Sequence, residues 1–78
     1  MINGYEKIFF LSIRKEIKRK CKDKGLKVET VVNNAGLTQT GYSLAIKNCS
    51  LKLSTFLRIC DQLDMECEFK IGNKIFIL

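Results

Sequence analysis

The chain contains no histidine and no proline, and its four cysteines, Cys21, Cys49, Cys60 and Cys67, include no CxxC pair. Without an imidazole, no side chain changes charge near neutrality at its ordinary pKa, and no histidine–cysteine set is present to grip zinc. No acidic cluster takes its place and no nucleophile has a base in sight, so an enzyme is hard to assemble from these residues. Neither a metal nor any other cofactor is expected. Without proline, nothing forces a helix to break. No stretch approaches the ~20 apolar residues that span a bilayer. Ile8-Phe9-Phe10-Leu11 is too short for a signal-peptide core, and its basic residues follow rather than precede it. The expectation is a cytoplasmic protein that does not engage a membrane.

What is present points to one folded domain. The 78 residues are 46% apolar, enough for a core. A chain of this length buries roughly 60% of its unfolded surface, so contacts with a partner should matter to its stability. Fourteen Lys and Arg oppose eight Asp and Glu, and the excess is concentrated. Arg14, Lys15, Lys18, Arg19, Lys20, Lys22, Lys24 and Lys27 crowd residues 14 to 27, where only Glu16 and Asp23 oppose them. Such a stripe suits a polyanion, and it is equally what a solvated helix face looks like. A membrane surface fits less well, because the apolar side of the same segment is committed to a core.

Apolar spacing sets out the elements. Phe9 or Phe10, Ile13, Ile17 and Cys21 recur at helical steps over residues 5 to 24, and Gly25 ends that helix. Val28, Val31, Val32 and Ala35 mark a short helix over 28 to 34, and Tyr42, Ala45 and Ile46 mark another over 39 to 47. Between them, Gly36 can take the positive φ that ends a helix, and Thr38 can cap the next. A short helix, a tight glycine turn and a second helix with a polar outer side form a helix-turn-helix unit, which lays its second helix in the DNA major groove. Asn48-Cys49-Ser50 reads as a loop, and Leu53, Phe56, Leu57, Cys60 and Leu63 as the buried side of a helix over 53 to 63. Cys21 and Cys60 fall on apolar faces and are expected to be small buried hydrophobes, with neither zinc nor a disulfide.

The period then changes. Cys67, Phe69 and Ile71 alternate with Glu68 and Lys70, Gly72-Asn73 is a two-residue turn of the primed type, and Lys74-Ile75-Phe76-Ile77-Leu78 follows. The chain thus divides into a mainly α domain over residues 1 to 65, with four to five helices, and a C-terminal β-hairpin over 66 to 78. A lone hairpin is marginal in water and its edges are adhesive. Pairing with a second copy removes both difficulties, which makes a homodimer interface of Phe69, Ile71, Ile75, Phe76 and Ile77, with Ile8, Phe9 or Phe10 contributing. The alternatives are a hairpin folded back on its own helices and one that docks a different protein.

Residues 17 to 65 resemble the phage repressor/Cro type of helix-turn-helix protein, the XRE family. Gly25-Leu26, Val31-Val32, Ala35-Gly36-Leu37-Thr38, Tyr42, Ala45 and the apolar pattern over 53 to 63 stand where that family has its basic first helix end, its two motif helices and its closing helix. Val28 replaces the glutamine that often opens the family's second helix, and Ile46-Lys47-Asn48 replaces its acidic-Asn-Gly run. Gly41 lies inside the third helix at a cost of about 1 kcal/mol relative to Ala, and would let it approach the groove closely.

The resemblance implies a repressor-like fold, double-stranded DNA as partner, and a regulator of transcription that represses or autoregulates. Gln39, Thr40, Ser43 and Leu44 would face base edges: Gln can pair bidentately with adenine, and an apolar side chain can touch a thymine methyl. Lys27, Thr38, Lys47 and Asn48 would contact phosphates. A dimer would set two recognition helices about 34 Å apart on a two-fold symmetric operator. The same fold also serves antitoxins, in which case the hairpin would mask a toxin partner. RNA binding ranks lower because no aromatic stacking platform is visible.

Overall fold

The computed structural model describes residues 4–77, apart from the side chain of Phe69. Among them are four helices, α1 (Gly4–Asp23), α2 (Val28–Asn34), α3 (Gln39–Lys47) and α4 (Leu53–Gln62), followed by strands β1 (Glu68–Ile71) and β2 (Lys74–Ile77). The protein is therefore mainly helical with a small antiparallel C-terminal hairpin, and each boundary falls within a residue or two of the spacing that marks it. Leu78, the Phe69 side chain and residues 1–3 lie outside the described residues, so the placing of Phe69 at an interface falls there too. No helix among the described residues is long and apolar enough to cross a membrane.

Every helix contributes to one core. Ile17 and Cys21 come from α1, Val31, Val32 and Ala35 from α2 and its end, Tyr42 and Ile46 from α3, and Ile59 and Leu63 from α4. Phe10 and Ile13 pack against this cluster, whereas Phe9 is exposed and meets the Phe10 ring edge-on, centroids 5.6 Å apart. Helix α4 departs from its expected face. Ile59, absent from that face, is fully buried, and Leu53, expected inside, is exposed. Helix α4 packs on α2, and its C-terminal half supplies the buried Ile59 and Cys60, while Leu53 in its first turn stands at the rim of a groove shared with Phe9, Phe10 and Ile13. Gln62 fixes the pair by donating from Nε2 to the Val31 carbonyl at 2.8 Å.

All four helices end in the same way. The residue after each C-cap is left-handed, and the amide beyond it donates back to the carbonyl three positions inside the helix end. Leu26 N–H reaches the Cys21 carbonyl at 2.8 Å, Leu37 reaches Val32 at 2.9 Å, Ser50 reaches Ala45 at 2.8 Å, and Met65 reaches Cys60 at 3.0 Å. Gly25 and Gly36 hold the left-handed position on α1 and α2, but Cys49 (φ 53°) and Asp64 (φ 51°) hold it on α3 and α4. At φ +92° Gly36 turns the chain sharply enough for α3 to start at Gln39. The Thr38 hydroxyl then caps α3, accepting from the Gly41 amide at 2.9 Å. Lys24 and Asp64 join the ends of α1 and α4, Nζ to Oδ2 at 2.6 Å.

In the hairpin, Glu68 pairs with Ile77, Phe69 with Phe76, Lys70 with Ile75 and Ile71 with Lys74. The positive φ falls on Gly72, the first turn residue, as a type II′ turn requires. Cys67 is buried at its entrance with Sγ 3.3 Å from Sγ of Cys60, both thiols free, which ties the hairpin to α4. Beyond that point the described apolar side chains, Ile71, Ile75, Phe76 and Ile77, are all exposed.

Candidate nucleic-acid interface

Helix α3 packs on α1 and α2, with Tyr42 and Ile46 buried beneath it. The residues expected to read bases, Gln39, Thr40, Ser43 and Leu44, are all exposed on its other side. Lys27, Thr38, Lys47 and Asn48, expected at phosphates, are exposed as well. Thr38 has its hydroxyl oxygen engaged by the cap and keeps its hydrogen for another acceptor. Gly41 has a reason inside the protein: a Cβ there would stand 3.0 Å from Thr38 Oγ1, so the glycine makes room for that cap.

The exposed side chains of α3 divide into two rows. Gln39 and Ser43, one turn apart, line a cleft of about 180 Å³ between α3 and α1, together with Arg14, Lys18, Val28 and Tyr42. A second cleft of about 280 Å³ continues along the same seam and is lined by Lys7, Leu11, Arg14, Ser43, Ile46 and Lys47. Arg14 and Ser43 belong to both, so the two form one trough. Four of its lining side chains are cationic and none is acidic. Thr40 and Leu44 form the neighbouring row and line neither cleft.

The basic stripe of α1 is therefore not one surface. Arg19 pairs with Glu16 and, at 3.2 Å, with Asp23, and Lys24 pairs with Asp64. The Arg19 guanidinium holds the Glu16 carboxyl below its ordinary range, and Lys24 does the same for Asp64. Arg14 and Lys18 face α3 instead. The spacing of Lys7, Leu11, Arg14 and Lys18 repeats at four, three and four residues, which puts them on one helix face. That spacing was the signal in the sequence; charge density alone concealed it.

Tyr42 takes the packing position expected for it, and its hydroxyl has a further peculiarity. It is shielded from solvent and has no hydrogen-bond partner among the described residues. Burial pushes its pKa up to about 12, against the opposing field of Arg14, so it remains a donor across the physiological range. Among the described residues no three His, Cys, Asp or Glu side chains come together as metal ligands. Comparison with protein-family models, curated proteins and solved structures finds no match to this chain.

Proposed function

We propose that the protein is a homodimeric, sequence-specific double-stranded DNA-binding regulator of transcription, with α2 and α3 as its helix-turn-helix and α3 entering the major groove. The observation that carries this reading is the seating of α3: Tyr42 and Ile46 fix it from below, a glycine turn sets its angle to α2, and its polar outer side is left uncovered. A net charge of +6 and the acid-free seam beside α3 supply the electrostatic attraction that duplex binding needs. The hairpin supports the dimer. It offers two unpaired strand edges and four exposed apolar side chains, next to a groove lined by Phe9, Phe10, Ile13, Leu51, Leu53 and Phe56. A second copy would extend the sheet and cover that surface.

Selection of bound duplexes from a random pool tests the reading. A two-fold symmetric site, with half-sites one helical turn apart, is the expected result. Recovery of no enriched sequence would overturn specific recognition. Sedimentation of the protein as a monomer at micromolar concentration would overturn the dimer and leave the hairpin to another protein.

A further inference from the structure

The trough between α1 and α3 combines features that have no internal explanation. Arg14 and Lys18 stand side by side on its α1 wall with no carboxylate among its lining residues, an arrangement that attracts an anion from outside. The Tyr42 hydroxyl, in a residue 3% exposed, has a hydrogen and no acceptor, although buried polar groups are nearly always paired. Gln39 and Ser43 add an amide and a hydroxyl donor on the opposite wall. The nearer cleft, about 180 Å³, leaves room for one phosphate group. The seam then continues to Lys7 and Lys47, as a chain of phosphates would require and a single ion would not.

We propose that this seam holds the sugar-phosphate backbone: Arg14, Lys18, Gln39 and Ser43 grip one phosphate, the Tyr42 side chain shifts on binding to bring its shielded hydroxyl to the same group as a donor, and base reading falls to Thr40 and Leu44. The proposal rests on the duplex-binding reading above and changes its division of labour, because Gln39 and Ser43 move from bases to backbone. The geometry of α3 enforces the split. Residues 39 and 43 form the row against α1, while 40 and 44 form the row beside it. Tyr42 is then a residue whose hydroxyl weakens the fold and strengthens the complex.

The test measures binding of the full chain to its selected operator and to an unrelated duplex of equal length, by fluorescence anisotropy at several salt concentrations, with a parallel titration of inorganic phosphate followed by amide NMR. Arg14→Ala and Lys18→Ala should each weaken both duplexes alike and reduce the slope of log affinity against log salt by about one. Gln39→Ala and Ser43→Ala should also weaken both alike, whereas Thr40→Ala and Leu44→Ala should weaken the operator more than the unrelated duplex. Tyr42→Phe should lose about tenfold in affinity, as for a hydrogen bond to a charged group, while its unfolding temperature rises. A hydroxyl with a purely structural role would not move affinity and stability in opposite directions. Operator-only loss in Gln39→Ala, an unchanged salt slope in Arg14→Ala, or wild-type affinity in Tyr42→Phe would overturn the proposal and leave the duplex reading standing. If the wild type binds neither duplex, that reading falls. Phosphate-induced shifts confined to Gln39, Tyr42 and Ser43 would then keep the trough as a site for a free oxyanion, and their absence would remove it.

Discussion

Isoleucine occurs in both parts of this protein and meets opposite fates. In the helical body Ile17 and Ile59 are completely covered, while in the hairpin Ile71 and Ile77 are 68% and 75% exposed. The difference lies in how many elements are available to cover them. Helix α2 has α1, α3 and α4 around it, so each apolar stripe finds a counterpart. The strands β1 and β2 form a two-stranded sheet with each other alone, and a sheet has two faces and two edges to satisfy. Apolar surface in the body folds the chain; in the hairpin it remains available to another molecule.

The sharpest way to break this comparison is to make the same change in both parts. Ile59→Ala should cost about 3–4 kcal/mol in denaturant unfolding, a large share of the stability of any small domain. Ile77→Ala, measured in dilute protein, should stay within about 0.5 kcal/mol of wild type. Equal costs would mean that the hairpin belongs to the core. Next in size is the pair of left-handed glycines. Gly36→Ala should destabilise the whole domain by about 1–2 kcal/mol, because the strain sits between two core helices. Gly72→Ala carries similar local strain in an open turn, and hydrogen exchange should register it as faster exchange of the β1 and β2 amides alone. Global unfolding from Gly72→Ala would join the two parts into one cooperative unit.

The smallest effect concerns the ion pair at the helix ends. Lys24 lowers the pKa of Asp64 from its ordinary 3.8, so the pair's contribution is complete above that value and fades as pH falls through the lowered one. Asp64→Asn should lower the unfolding temperature slightly near neutrality, where the pair is fully formed, and flatten the most acidic part of the curve of unfolding temperature against pH, so that mutant and wild type converge there. A mutant difference that persists at the acidic end, below the lowered pKa, would assign the site a role other than this pair.

Much of the body could be read from its periodicity, and the exceptions share a physical cause. Gly25 and Gly36 announced the ends of α1 and α2. The ends of α3 and α4 use the same hydrogen bonds with Cys49 and Asp64 at the left-handed position, and nothing in those residue types announces it. Phe9 and Phe10 are adjacent and equally apolar, so only the packed neighbours select Phe10 for the interior. Ile59 is not singled out by pattern because Leu53, Phe56, Leu57, Cys60 and Leu63 already satisfy helical spacing, and only the packed neighbours select which of these positions is covered. At the candidate site, the exposure of Gln39, Thr40, Ser43 and Leu44 followed from the cap at Thr38 and the apolar spacing of Tyr42 and Ile46. The sorting of the α1 cations was only partly legible. The helical spacing of Arg19 with Glu16 and Asp23, and of Lys7, Leu11, Arg14 and Lys18 with one another, is in the sequence. Which face meets α3, and that Lys24 finds Asp64, emerge only once the helices are placed. The orphaned Tyr42 hydroxyl is likewise a property of the assembled core.

The hairpin's two open edges are chemically different, one belonging to β1 and the other to β2. Copies joined through identical edges are related by a two-fold rotation, and growth stops at the pair. Copies joined through unlike edges leave the same vacancy at each end of the stack, which then lengthens into a ribbon without limit. If copies of this chain join through the hairpin, the choice between a finite particle and a fibre lies in which margin of an eight-residue ladder meets its neighbour.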